Sequence, residues 1–346
     1  MIHTIDAEEF LSLRKTLTVL DVRSPKEFSQ GHIPGAVNLP LFTDEERHQT
    51  GILYKNAGRE AAVLEALGFA GPKLQFFVKA SRQHTVSKKI MIHCWRGGMR
   101  SESMAWLLST AGMEVYLLRG GYKAYRKYIR ESWSQPANLI VLSGKTGSGK
   151  TEILKQIEQK GFQMLDLEQF AHHKGSAFGG IGENPQPSNE QFENNLADAW
   201  LQMNFKAPVW VEDESRFIGR VNIPEPLYQQ MQKAKTVCID IPRPLRIERL
   251  ILDYAQHPGE MLIQSIVKIE RRIGGQHLKT AIAAIEKGDF AIAINIVLTY
   301  YDKSYDFDLE RKHQNNILRL QSNSADAEHN TQLILNSLSA EKVISF

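Results

Sequence analysis

Cysteine is nearly absent from this sequence: 346 residues carry only two, Cys94 and Cys238. Two thiols without metal-ligand spacing exclude a disulfide scaffold and a cysteine-built zinc site. No apolar run of membrane-spanning length is found, and Met1-Ile2-His3-Thr4-Ile5-Asp6 lacks the basic start and apolar stretch of a secretion signal. A cytoplasmic protein with no membrane partner is therefore expected, and a monomer is the default. An excess of one charge is lacking too: 42 Lys and Arg against 39 Asp and Glu leave +3, which permits a polyanionic partner without requiring one. Internal repeats and low-complexity tracts are missing. What is present, 42% hydrophobic and 23% charged residues, is ordinary globular composition over a length that supports two cores.

The most informative stretch surrounds the first cysteine. A short apolar strand, Lys89-Ile90-Met91-Ile92-His93, runs into Cys94, then Trp95-Arg96-Gly97-Gly98-Met99-Arg100-Ser101 leads into an apolar-faced helix. Paired glycines let successive N–H groups converge on one point, and Arg100 and the helix start add positive charge there. These features favour a thiolate, which makes Cys94 the candidate nucleophile. Cys238 lies inside Thr236-Val237-Cys238-Ile239-Asp240-Ile241 and reads as a small hydrophobe in a buried strand.

Around this loop, strand and helix alternate, which predicts a parallel sheet flanked by helices. Thr18 to Arg23 reads as a strand and Ser24-Pro25 as a helix start. The string Leu20-Asp21-Val22-Arg23-Ser24-Pro25-x-Glu27-Phe28-x-x-Gly31-His32-Ile33-Pro34-Gly35-Ala36 resembles the N-terminal motif of rhodanese domains, and Val115 to Tyr122 resembles their closing strand and turn. That resemblance implies a persulfide or perselenide on Cys94. Five residues separate Cys94 from Arg100, one more than is common in single-domain rhodaneses, so the loop also matches a Cys-x5-Arg phosphatase. Between the motifs, Gly51 to Ala62 reads as one helix with Lys55 and Arg59 four apart on one face, a solvated face or a contact to RNA phosphate.

Ser132 to Pro136 breaks the pattern, which places a domain boundary between residues 134 and 135. Asn138 to Ser143 then reads as a buried strand, followed by Gly144-Lys145-Thr146-Gly147-Ser148-Gly149-Lys150-Thr151 and a helix. This is the phosphate-binding loop in full form: its amides wrap a diphosphate, Lys150 neutralises oxygens, and the Thr151 hydroxyl can hold magnesium. A carboxylate for the metal shell is expected at the strand end Pro208 to Ser215, from Asp213 or its neighbour Glu212. Ala171 to Gly182 is a glycine-rich, cationic loop able to close over a substrate, and its adjacent histidines do not have the arrangement of a transition-metal site. Arg216, Arg220, Arg243, Arg246 and Arg249 suggest a basic rim. From Gly259 to Leu298 the pattern is helical, with Lys268, Arg271 and Arg272 able to meet RNA phosphates. Arg311 to Phe346 carries no visible chemistry.

The order of domains, with Tyr54-Lys55-x-x-Gly58, His173-Lys174-Gly175-Ser176-x-Phe178-Gly179, Gln186-Pro187-Ser188 and Glu212-Asp213-Glu214-Ser215-Arg216-x-Ile218-Gly219, resembles the bacterial tRNA 2-selenouridine synthases. The resemblance implies an α/β chain, rhodanese-like over 1–134 and phosphate-loop NTPase-like with helical additions over 135–346. It implies a transferase that S-geranylates the wobble 2-thiouridine of tRNA and then exchanges the sulfur for selenium. Selenophosphate would sit in the loop of Trp95, Arg96, Gly97, Gly98, Met99, Arg100 and Ser101. Geranyl diphosphate, with magnesium on Thr151 and Asp213, would sit on Gly144, Gly147, Ser148, Gly149, Lys150 and Thr151. Lys55, Arg59, Lys174, Arg216, Arg220, Lys268, Arg271 and Arg272 are the candidate tRNA contacts. A phosphatase, a nucleotide-dependent kinase or ATPase joined to a sulfurtransferase, and a non-catalytic binding module remain open alternatives.

Overall fold

The computed structural model describes residues 1–310 and 316–344. The chain divides into two compact units, Met1–Ser132 and Trp133–Phe346. The division falls two residues before the expected one because Trp133 is buried against Trp200, ring centroids 5.5 Å apart, inside the second unit.

The first unit holds five parallel strands, β1 (Ile2–Ile5), β2 (Val19–Asp21), β3 (Val37–Asn38), β4 (Lys89–His93) and β5 (Glu114–Leu118), in the order β1-β5-β4-β2-β3. Central β4 buries Ile90, Met91, Ile92 and His93, the continuous burial that a sheet covered on both faces imposes. Helices α1 (Ala7–Leu13), α2 (Pro25–Gln30), α3 (Asp44–Asn56), α4 (Gly58–Ala70), α5 (Leu74–Gln83), α6 (Met99–Thr110) and α7 (Gly121–Ser132) accompany the sheet. A capping box, Ser24 with Glu27, and Pro25 in the first turn start α2. Residues 51–62 are not one helix: the chain breaks between α3 and α4 where Gly58 adopts φ +88°. Lys55 and Arg59 therefore sit on different helices and do not share one helical face. Against the expectation of no membrane-length apolar run, Gly58–Gln83, which spans α4 and α5, has the length and composition of one and nothing more, with 11% of its most apolar window buried.

The second unit has a five-stranded parallel sheet, β6 (Leu139–Ser143), β7 (Gln163–Leu165), β8 (Val209–Glu212), β11 (Lys235–Asp240) and β12 (Ile317–Gln321), ordered β12-β11-β6-β8-β7, plus the antiparallel pair β9 (Phe217–Ile218) and β10 (Val221–Asn222). Its helices are α8 (Lys150–Gln159), α9 (Leu167–Ala171), α10 (Asn189–Trp200), α11 (Glu225–Lys233), α12 (Arg243–Tyr254), α13 (Gly259–Val267), α14 (Glu270–Ile273), α15 (Gly275–Glu286), α16 (Phe290–Glu310) and α17 (Ala327–Ala340). Ile140, Leu142, Val237 and Ile239 pack with Ile153 and Ile157 of α8 and Ile334 and Leu338 of α17. The stretch after residue 316 that carried no visible chemistry thus supplies an edge strand and a covering helix. Helices α13 to α16 build a separate core around Ile266, Leu278, Ala281 and Val297, because their apolar faces match one another at helical spacing.

Candidate active sites

In the first unit Cys94 follows β4, is 3% exposed, and sits where α6 begins. Ser101 Oγ lies 3.1 Å from both Cys94 Sγ and the Gly98 carbonyl oxygen. The loop is clasped to the first turn of α7: Tyr122 N–H donates to the Cys94 carbonyl (2.8 Å) and Lys123 N–H to that of Trp95 (2.9 Å). Gly121, at φ +60°, could carry no side chain, since a Cβ there would stand 2.4 Å from the Cys94 carbonyl oxygen and from Gly97 N. Gly97, at φ +67°, is confined in the same way by Gly120 and Gly121.

Arg100 is committed differently from the sequence expectation. Its guanidinium grips Glu27, Nη1 to Oε2 at 2.6 Å and Nη2 to Oε1 at 3.3 Å, so α2 and the start of α6 are joined beside the thiol. Burial works against the charged Glu27, yet the Arg100 hydrogen bond and charge hold its carboxyl below the usual range. Under the loop lies a fully buried pair: Arg23 Nε donates to Asp21 at 2.9 Å, its Nη2 donates to the Gly31 carbonyl at 2.7 Å, and its guanidinium stacks 3.8 Å from the Tyr122 ring centre. Asn38 ties the Asp21 and Arg23 carbonyls together at 2.9 Å each. The Leu20 to Arg23 motif is therefore the foundation under the thiol turn. His93, wholly buried, has its pKa lowered by desolvation and stays neutral at physiological pH. Trp95 and Arg96 belong to the thiol loop, whereas Met99 opens α6 and is 46% exposed.

In the second unit the loop between β6 and α8 has Gly147 at φ +82° and Gly149 at φ +78°. Lys150 Nζ lies 3.1 Å from the Gly144 carbonyl oxygen and 3.3 Å from Glu212 Oε1. Thr151 Oγ1 is 3.2 Å from Glu168 Oε2 and 3.3 Å from Glu212 Oε2. Glu214 joins them, one oxygen from each of the three carboxylates lying within 4.8 Å of the others. The choice between the two acids of the strand end is thereby made: Glu212 meets Thr151. Asp213, expected in the metal shell, instead accepts the Ser143 hydroxyl, which also lies 2.5 Å from Tyr305 OH. Alternate side chains along an extended chain face opposite ways, so adjacent acids part.

Burial, then the charge of Glu212, raises Glu168 to about 8. Burial also raises Glu212 and Glu214, the latter helped by both neighbouring acids. Burial opposes the charge on Lys150, but Glu212, Glu214 and Glu168 raise its pKa. Oxygen-only donors crowded this way suit a hard divalent cation, so these residues fit magnesium. Glu168 and Glu214 were missed as site residues by the sequence reading. The acid near the end of β7 in Leu165-Asp166-Leu167-Glu168 was the available signal.

The cleft around this loop holds about 380 Å³. Lys174, Gly175 and Ser176 of the glycine-rich loop line it, and Arg249 reaches its mouth: its Nη1 would stand 2.8 Å from a Cβ on Gly149. Arg246 belongs to the scaffold: 3% exposed, it donates to the Thr146 carbonyl at 3.1 Å and to Asp302 at 2.8 and 2.9 Å. Arg243 donates to the Asn295 carbonyl and the Thr299 hydroxyl at 2.6 Å each. Among the expected tRNA contacts, Lys174 pairs with Glu183 at 3.4 Å and Arg216 with Glu225 at 2.8 Å. Arg220, Lys268, Arg271 and Arg272 are exposed, with Arg272 over the Tyr300 ring. Arg59 Nη2 lies 3.8 Å from Met99 Sδ, and Lys55 is exposed.

Comparison with known proteins agrees with this architecture. A rhodanese-like domain is matched over residues 6–128, and a tRNA 2-selenouridine synthase AAA domain over 137–333. The chain is 37% identical to the tRNA 2-selenouridine synthase of Bdellovibrio bacteriovorus, over 87% of this chain and 91% of that protein. It is 34% identical to the one of Shewanella denitrificans, over 90% and 93%. The one of Shewanella sediminis is 37% identical over 85% and 88%. With a thiol loop on one sheet, a phosphate loop on the other and relatives aligned across both, the chain belongs to the tRNA 2-selenouridine synthase family.

Proposed function

We propose that this tRNA-modifying enzyme of selenouridine formation works by two transfers at the wobble base: S-geranylation of 2-thiouridine by geranyl diphosphate, then selenation from selenophosphate. The observation that carries the reading is the presence of two anion loops of different chemistry, one with a thiol and one without. A thiocarbonyl sulfur leaves poorly, and alkylation converts the departing group to a thiol. In the first transfer the sulfur of the base bonds to the allylic carbon while the carbon–oxygen bond breaks toward diphosphate. Lys150 and the amides of Gly144 to Thr151 stabilise the charge that develops there. Magnesium held by Thr151, Glu168, Glu212 and Glu214 would supply further charge neutralisation.

In the second transfer Cys94 carries selenium as a perselenide, formed beside Gly97, Gly98 and Ser101. Passing neutral selenium to the thiolate leaves two electrons on phosphorus, so phosphite is the product. The perselenide then bonds to C2 of the base as geranyl thiolate leaves, and two equivalents of an external thiol, oxidised together to a disulfide, reduce the remaining sulfur–selenium bond and free Cys94 and the selenouridine. Release of phosphate instead would mean that selenium reaches the base as selenide without residing on Cys94. Basic residues exposed on both units, Arg59 and Lys268 to Arg272 among them, are available to tRNA phosphates, and such a substrate puts the enzyme in the cytoplasm. A monomer suffices for this chemistry.

The test is nucleoside mass spectrometry on thiolated tRNA incubated with the protein and both donors, each also omitted in turn. A geranyl adduct from the first donor, turned to selenouridine by the second, is expected. An unchanged nucleoside would overturn the reading. Aryl phosphate cleavage or ATP turnover by the same preparation would then point to the phosphatase or the kinase.

A further inference from the structure

The chemistry of the first unit is bordered by a feature that none of it uses. Helix α4 reads Gly58-Arg59-Glu60-Ala61-Ala62-Val63-Leu64-Glu65-Ala66-Leu67-Gly68-Phe69-Ala70, and only Ala62 of it is buried. Leu64 and Leu67 are 73% and 63% exposed, and Trp106 of α6, which lines the same groove as Leu67, is 62% exposed. Between α3, α4 and α6 runs an open groove of about 560 Å³ whose lining includes Tyr54, Val63, Leu67, Met99, Trp106 and Leu107. Contiguous apolar surface of this kind marks a binding site more often than an accident of packing.

Three observations select the occupant. The groove borders the helix start that follows the thiol loop: Met99 and Arg100, five and six residues after Cys94, are both in its wall. Its floor is apolar while Arg59 stands at its rim within 3.8 Å of Met99 Sδ, so one ligand with an apolar arm and a phosphate-bearing body satisfies both. Its volume lies within the range of small-ligand pockets and accommodates a flexible ten-carbon chain.

We infer that this groove receives the alkyl tail of the S-geranylated wobble uridine, holding the alkylated base beside Cys94 for exchange. The assignment rests on the two-transfer reading above and adds to it a separate tail subsite on the thiol-bearing unit. Burying the tail distinguishes the alkylated base from the thiouridine that preceded it. It also holds the leaving thiol by the carbon chain that departs with it.

The test uses the full chain and two anticodon stem-loops, one with S-geranyl-2-thiouridine and one with S-methyl-2-thiouridine. Dissociation constants are measured for the wild type, Leu67→Asp and Trp106→Ala, both substitutions at exposed positions. The wild type is expected to prefer the geranyl probe by about tenfold or more, since most of a ten-carbon chain leaves water. Each substitution should erase most of that preference and leave S-methyl binding unchanged. No preference in the wild type, or equal weakening of both probes by the variants, overturns the assignment. So does a concentration-dependent oligomer that Leu67→Asp dissolves, which would give the groove to a second copy, or vesicle binding lost in the same variant. Nucleoside analysis separates this inference from its parent. Selenouridine formed without any geranyl preference leaves the two-transfer reading and removes the groove. Preference without selenouridine retains the groove as an alkyl-uridine site and removes the exchange.

Discussion

The two units place a glycine-bearing loop between a buried parallel strand and a helix start, and they prepare it in opposite ways. Around Cys94 the charges are matched: Asp21 with Arg23, Glu27 with Arg100. Around Lys150 three carboxylates, those of Glu168 and Glu212 buried and that of Glu214 half-buried, face one lysine. The first loop is complete as it stands, its rigidity set by the Gly97 and Gly121 contact. The second holds more acid than base, the arrangement that the proposed magnesium would balance. A nucleophile that must be presented in one geometry is served by the first arrangement. The second arrangement is consistent with the proposed diphosphate site, where a cation would share the charge.

Removing the central group of each loop should break the comparison most visibly. Cys94→Ser is expected to abolish selenation and leave geranylation intact in the nucleoside assay, and loss of both would mean that the two loops are not separable. Lys150→Ala should lower geranylation by roughly 10²- to 10³-fold, the scale of a lost preorganised charge, while a pre-geranylated tRNA is still selenated. Unchanged geranylation would move the diphosphate elsewhere.

Gly121→Ala sharpens the contrast in rigidity. A Cβ 2.4 Å from two backbone atoms, at φ +60°, should cost about 1–3 kcal/mol or more, seen as a lower denaturation midpoint and a loss of selenation. Gly149→Ala, whose Cβ meets the flexible end of Arg249, should disturb the second unit less. A Gly121→Ala protein with an unaltered midpoint would show that the turn can relax.

The smallest effect is the most diagnostic. Glu27 and Asp21 have lowered pKa values, so their contribution is present above the unfolded carboxylate range and is lost as pH falls. Glu168 is raised to about 8, so its contribution is full below the unfolded value near 4.5 and is lost as pH rises through about 8. Without divalent cation, stability of the first unit should fall toward acid and that of the second toward alkali. Magnesium should cancel the alkaline loss, and Glu168→Gln should flatten it. Denaturation monitored from pH 4 to 9, with and without magnesium, reads this directly, and two units moving together would contradict it.

Much of both sites is legible in the sequence because each loop is local: strand, glycines, key side chain and helix start follow one another within about a dozen residues. What was misread depends on distant partners or on a single turn that side-chain spacing does not reveal. Arg246 carries the same charge as Arg249, yet the first is buried against Asp302 and Thr146 while the second meets the loop mouth. Lys55 and Arg59 look like one helical face until Gly58 turns left-handed between them.

By itself the sequence determined the two parallel α/β units, the thiol of Cys94 and the phosphate loop ending in Lys150 and Thr151, because apolar periodicity and glycine placement act over short range. Only the tertiary structure decided that Arg100 belongs to Glu27, 73 residues away, and that Thr151 meets Glu212, 61 residues away, with Asp213 turned aside. Only it could raise an apolar groove from α3, α4 and α6 next to the thiol. A chain segment encodes its own conformation and its apolar face, whereas the partner a charge finds and the wall a groove acquires are set by how separate elements pack.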